Sequence, residues 1–165
     1  MAIVPSIAQF LTSQGIAFQT VPHPLAYTAQ EDAALSHVPG REWAKTVVCM
    51  ADGEPIQAVL PAHLAIDVDR LRALTGARTV RLAEESEFEK LYPGCERGAM
   101  PPLGPLYGQR VFVDSALAAD EEITFNAGTH TDAVRVRYED FALIAHPVVG
   151  PFAHRPAIRS AGLGR

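Results

Sequence analysis

The chain predicts a mixed α/β domain, an open sheet with antiparallel hairpins and helices packed around it. Three observations carry this. Helical and strand-like apolar patterns alternate irregularly along the chain. The apolar run Lys45 to Met50 is followed by the tight-turn pair Asp52-Gly53 and a returning strand, Ile56 to Leu60, which excludes an all-parallel sheet. A length of 165 residues suits a single domain, and a domain of this size buries roughly 70% of its unfolded surface, so it needs no disulfide or metal to be stable.

The elements follow in order. Ile7, Phe10 and Leu11 share one helical face, with Ser6 as the cap and Gly15 as the stop. Phe18 to Val21 is a short strand. Thr28-Ala29-Gln30-Glu31 has the spacing of a capping box, so a second helix runs to about Ser36, before the Pro39-Gly40 turn. Val47-Val48-Cys49-Met50 is continuous and apolar, as in a strand covered on both faces. Val68, Leu71 and Leu74 form a helical stripe between Asp67 and Gly76. Thr79 to Leu82 is a strand candidate, and Ser86-Glu87-Phe88-Glu89 opens a short helix ending near Pro93-Gly94. Four glycines and three prolines between Gly94 and Gly108 preclude a regular element and predict a stiff, ordered loop. Arg110 to Val113, Glu122 to Phe125 and Ala133 to Tyr138 are strands; Val134, Val136 and Tyr138 face one side, Arg135 and Arg137 the other. A last helix spans Tyr138 to Ile144. The domain is thus expected over residues 1–146, with 147–165 as a loose C-terminal tail.

Composition narrows the function. The chain is 48% hydrophobic and 20% charged, ordinary for a soluble globular protein. A net charge of −5 argues against coating DNA or RNA through phosphates, yet leaves room for recognising one nucleotide end. No apolar run reaches the roughly 20 residues of a membrane span, and no signal peptide is expected. Cys49 and Cys95 form no CxxC pair, which fits reduced thiols and a cytoplasmic protein.

Three pieces could carry chemistry. Lys45 enters an apolar strand: it either snorkels to solvent or is a cation held at a cleft rim, to meet a phosphate or polarise a carbonyl. The segment Gly98-Ala99-Met100-Pro101-Pro102-Leu103-Gly104 is either a connector or a rigid loop whose backbone N–H groups receive an oxyanion. His130, after Asn126 and Gly128 in Phe125-Asn126-Ala127-Gly128-Thr129-His130, is either a turn histidine or a site residue. His130 and Asp132 lack a third ligand, so no metal site is expected. GxSxG, HExxH, P-loop and Rossmann signatures are absent.

In this order and spacing, the lysine, the glycine–proline loop and the Asn126-to-His130 turn resemble the YbaK/ProX-type aminoacyl-tRNA deacylases. That family also supplies the editing insert of bacterial prolyl-tRNA synthetases. The resemblance covers roughly residues 17–145, and Gly98 and Pro102 match the family's GxxxP loop. Many relatives carry serine at Pro101, so the loop's expected role here rests on its backbone. The resemblance implies hydrolysis in trans of tRNA mischarged with a small amino acid, without metal or organic cofactor. Lys45, Gly98 and Pro102 would be catalytic. Thr46, His23, Ala99, Met100, Pro101, Leu103, Gly104, Asn126, Gly128 and His130 would line the substrate site, with residues near Phe18 to His23, Met100 and His130 setting pocket size. The expected partner is the aminoacyl-tRNA acceptor end, with a synthetase as a second candidate; monomer and homodimer both fit. The alternative is a catalytically silent tRNA-end or synthetase-binding module of the same fold.

Overall fold

The computed structural model describes residues 3–26 and 28–156. Helix α1, Pro5–Ser13, is followed by strand β1, Gln19–Pro22, and helix α2, Ala29–Leu35. The long hairpin comes next, β2 Ala44–Ala51 and β3 Glu54–Pro61, then the short strand β4, Ala65–Ile66. Helix α3, Val68–Thr75, strand β5, Val80–Leu82, and helix α4, Glu85–Leu91, precede the long loop. Beyond it lie β6 Arg110–Asp114, α5 Ser115–Ala118, β7 Glu122–Asn126, β8 Asp132–Arg137 and α6 Tyr138–Ala145. The strands β9, Val148–Gly150, and β10, Ala153–His154, complete the order.

The mixed α/β class is as expected, and the strands divide into three groups. A five-stranded sheet has the order β5-β2-β3-β6-β9, with β3-β6 and β6-β9 parallel and the other pairs antiparallel. A three-stranded antiparallel sheet has the order β1-β8-β7, and β10 pairs with β4. One isolated bridge, Trp43 to Thr124, joins the two larger sheets. One core cluster packs Ile7 and Leu11 of α1 with Leu103, Val113, Phe125, Val134 and Phe141. A second gathers Cys49, Ile56, Leu60, Leu71, Phe112 and Phe152.

The structure moves several expected boundaries. α1 starts at Pro5 with Val4 at the cap, not Ser6, because proline has the helical φ and lacks the N–H a cap would satisfy. α4 is capped two residues earlier than expected, at Glu84 and not Ser86: the Glu84 amide donates to the Glu87 carboxylate at 2.7 Å. The loose tail is corrected for residues 147–156. β9 pairs with β6, and the Asp114 carboxylate accepts from the Phe152 and Ala153 amides at 2.9 and 2.8 Å. Phe152 is fully buried, so the segment is anchored by its own apolar side chain. The remainder of the expected tail, 157–165, lies outside the described residues.

Candidate active site

The site forms where one strand loses a neighbour. β3 pairs with β2 along its whole length, but β5 reaches the other edge only at Cys49–Ala51. At the opposite end, Trp43 bridges to Thr124. Between these contacts, Trp43, Ala44, Lys45 and Thr46 line a cavity of about 160 Å³. Side chains alternate across a strand, so four consecutive lining residues mark an edge and not a face. Ala29 and Asp32 of α2, Asn126 of β7, and Gly98 and Met100 of the loop close the other walls.

Lys45 borders both this cavity and a shallower outer hollow that includes Thr28, Gln30 and Ala62. Its Nζ lies 3.5 Å from the Ala62 carbonyl, which holds the ammonium toward the outer hollow. Burial pulls its pKa below the ordinary lysine value. Beside it, the Thr46 hydroxyl is buried with no hydrogen-bond partner among the described residues.

The loop is fixed by its backbone. The Ala99 amide donates to the Glu96 carbonyl at 3.0 Å, and the Ala99 carbonyl accepts from the Gly128 amide at 2.9 Å. The Pro101 carbonyl accepts from Gln57 Nε2 at 3.0 Å. The amides on either side of Ala99, those of Gly98 and Met100, donate to no acceptor among the described residues. Two uncommitted N–H groups on a braced loop, at a cavity wall, suit a developing oxyanion. Gly98 has φ +85°, a conformation that places an L side chain under strain, so the loop needs glycine there.

Of the expected site residues, Lys45, Thr46, Gly98, Met100 and Asn126 meet at the cavity. The others do not line it. His130 backs the loop: its amide donates to the Glu96 carboxylate at 2.6 Å, and its ring Nε2 lies 2.6 Å from the Arg97 carbonyl. Ala99, Pro101, Pro102, Leu103 and Gly104 are buried in the loop's inner course. A side chain at Gly104 would begin 2.3 Å from the Gln109 carbonyl, so Gly104 serves close packing. Gly128 braces Ala99, as described above. His23 sits behind Asn126, with its Nε2 3.1 Å from Asn126 Oδ1 and its ring edge-on to Trp43. In the structure these residues support those that line the cavity.

Two residues escaped the sequence reading. Asp32 is 2% exposed and accepts from Asn126 Nδ2 at 2.8 Å through Oδ2. Burial raises its pKa, opposed by the Asn126 hydrogen bond and by His23. The available signal was its position, one helical turn from Ala29 and beside the buried Ala33. Gln57 is fully buried in β3, where only its polarity within an apolar strand marked it. Cys49 is also fully buried, and burial pushes its thiol up to about 11, which removes it as a neutral-pH nucleophile. Among the described residues, no three His, Cys, Asp or Glu side chains converge as a metal site requires.

Comparison with known proteins identifies the family. The multifunctional Ser/Thr-tRNA deacylase ProXp-y of Escherichia coli K12 is 28% identical over 142 residues, covering 83% of this chain and 84% of that protein. A proline–tRNA ligase of Nitratidesulfovibrio vulgaris (Hildenborough) is 35% identical over 105 residues, 63% of this chain. The chain spans only 18% of that ligase's length. A solved structure described as a candidate trans-editing enzyme for prolyl-tRNA synthetase superposes with a TM-score of 0.78, covering 92% of this chain and 99% of that one. Its sequence identity is 20%, so it speaks to the fold alone. The family model of the aminoacyl-tRNA editing domain matches residues 23–143, and the chain belongs to that family.

Proposed function

We propose that this protein is an aminoacyl-tRNA deacylase that acts in trans, hydrolysing the ester of tRNA mischarged with a small amino acid. One observation carries the reading. In a member of the editing-domain family, a half-buried lysine and two uncommitted loop amides share one small cavity. Lys45, toward the outer hollow, receives the terminal adenosine and its phosphate. The Gly98 and Met100 amides hold the ester carbonyl and stabilise the oxyanion as water attacks. No side-chain nucleophile is needed, because the free ribose hydroxyl of the substrate assists the water.

Cavity size supports a small acyl group. A cavity of about 150 Å³ accommodates a benzene-sized molecule. The volume of about 160 Å³ therefore suits alanyl, seryl, threonyl, cysteinyl or prolyl groups. A separate editing step answers a physical limit, since a synthetase pocket rejects a residue lacking one methylene by only about 1–3 kcal/mol.

The chain works on tRNA that a synthetase has released, alone or docked on that synthetase. The cytoplasm is the compartment proposed for it, and the two unbridged cysteines suit a reducing medium. No helix among the described residues is long and apolar enough to cross a membrane.

The test is deacylation of a panel of small-amino-acid tRNAs, cognate and mischarged. Wild type should hydrolyse one or more mischarged species, and Lys45→Ala should lose about 10- to 100-fold in kcat/KM with the fold intact, a magnitude typical of removing one hydrogen bond to a charged group. A folded wild type that hydrolyses no member of the panel overturns the reading.

A further inference from the structure

We propose that Asp32 binds the α-ammonium group of the aminoacyl ester, so that the cavity accepts free α-amino esters and rejects N-blocked ones. The inference rests on the deacylase reading above and adds the group by which the amino acid is held.

Asp32 lines the same cavity as Lys45, Gly98 and Met100. Its carboxylate is fixed. Oδ2 accepts from Asn126 Nδ2 at 2.8 Å, and the Asn126 amide is oriented in turn by His23 Nε2, 3.1 Å from its Oδ1. His23 Nδ1 lies 2.9 Å from the Pro24 carbonyl. It stands 3.6 Å from Asp32 Oδ1, an ion-pair distance too long for a hydrogen bond. Asp32 Oδ1 is therefore a buried carboxylate oxygen that no hydrogen bond satisfies among the described residues.

His23 stands beside Asp32 Oδ1 at ion-pair distance only, and Lys45 does not fill this role. Lys45 donates to the Ala62 carbonyl, and its lowered pKa reflects burial with no contribution from Asp32. A buried carboxylate with an unsatisfied oxygen is costly unless a donor or a cation meets it. The aminoacyl ester carries one such group beside its reacting carbon. An α-ammonium has three N–H donors and lies one carbon from the ester carbonyl. With the carbonyl at the Gly98 and Met100 amides, Asp32 on the wall of the same cavity of about 160 Å³ is within its reach. The Thr46 hydroxyl, also buried and without a partner among the described residues, offers a second acceptor on the strand edge. Contact with the ammonium would offset the burial that disfavours the charged carboxylate.

The experiment compares the aminoacyl-tRNA that the protein hydrolyses best with its N-acetylated form. It is paired with calorimetric binding of 3′-alanylamino-3′-deoxyadenosine and of the N-acetyl derivative, which cannot be hydrolysed at an ester. Wild type should prefer the free amine by about 10- to 100-fold in kcat/KM and in Kd, the range of a charge-assisted hydrogen bond. Asp32→Asn should abolish that preference by weakening the free-amine ligand while leaving the N-acetyl ligand unchanged. The wild-type ratio is measured without any variant, so a misfolded Asp32→Asn does not shelter the proposal. A wild-type ratio of one overturns it, as does a folded Asp32→Asn that retains the preference. A variant that instead changes the preference between seryl and alanyl esters also overturns it, by assigning Asp32 to the acyl side chain. These failures leave the deacylase reading standing; a wild type that binds neither analogue and hydrolyses no aminoacyl-tRNA removes both.

Discussion

Two buried polar clusters flank the glycine–proline loop, and they differ in what they face. His23, Asn126 and Asp32 form one, and its carboxylate and amide reach the cavity wall. Gln57, Tyr92 and Gln109 form the other: Tyr92 Oη donates to Gln109 Oε1, while Gln57 Nε2 donates to the Pro101 carbonyl and meets Tyr92 Oη at 3.4 Å. The second cluster is uncharged and none of its members lines the cavity. Burying polar groups serves two ends here. On one side it presents a charged group to a ligand; on the other it fixes the loop that carries the amides.

Substitutions can separate the two roles. The largest expected effect is on the bracing side. Gln57→Leu leaves the buried Pro101 carbonyl without its donor, so stability should fall by about 1–3 kcal/mol, or roughly 2–10 °C in melting temperature. Thermal unfolding reads this directly, and an unchanged melting temperature would remove Gln57 as a brace. The turnover of the folded fraction should fall as well, through the displaced loop.

Gly98→Ala probes the loop itself. A φ of +85° costs an alanine about 1–2 kcal/mol, and relief of that strain would rotate the Gly98 amide. Single-turnover deacylation should slow by about 10-fold with KM little changed. Full activity in this variant would show that the amide needs no such alignment.

The smallest effect tests the charged cluster through stability. The folded pKa of Asp32 lies above the unfolded value of 3.8. The folded state then binds the proton more tightly than the unfolded state, so stability falls as pH rises through the window above 3.8. The burial cost of the charged form is fully present above the folded pKa and absent at lower pH. Asp32→Asn should accordingly gain on wild type as pH rises above 3.8, measured as the difference in melting temperature at each pH. A difference that does not vary with pH would contradict the assigned shift.

Local patterns determined much of this molecule. The hairpin was legible because Asp52 and Gly53 both adopt positive φ, 50° and 82°, in a turn whose residue types announce it. The α2 cap was legible for the same reason: Thr28 Oγ1 accepts from the Glu31 amide at 3.1 Å, a contact set by four adjacent residues. Lys45 and Gly98 stood out as a charge and a turn former in settings that do not favour them. Tertiary structure decided the rest. The split of the strands into separate sheets, the pairing of β9 with β6, and the anchoring of Phe152 all join residues distant in sequence, where no local period records the partner. Asp32 meets Asn126 across 94 positions, and Gln57 meets Pro101 across 44. A side chain's identity announces that it is polar; only the packed fold determines whether that polarity is braced, or turned toward a ligand.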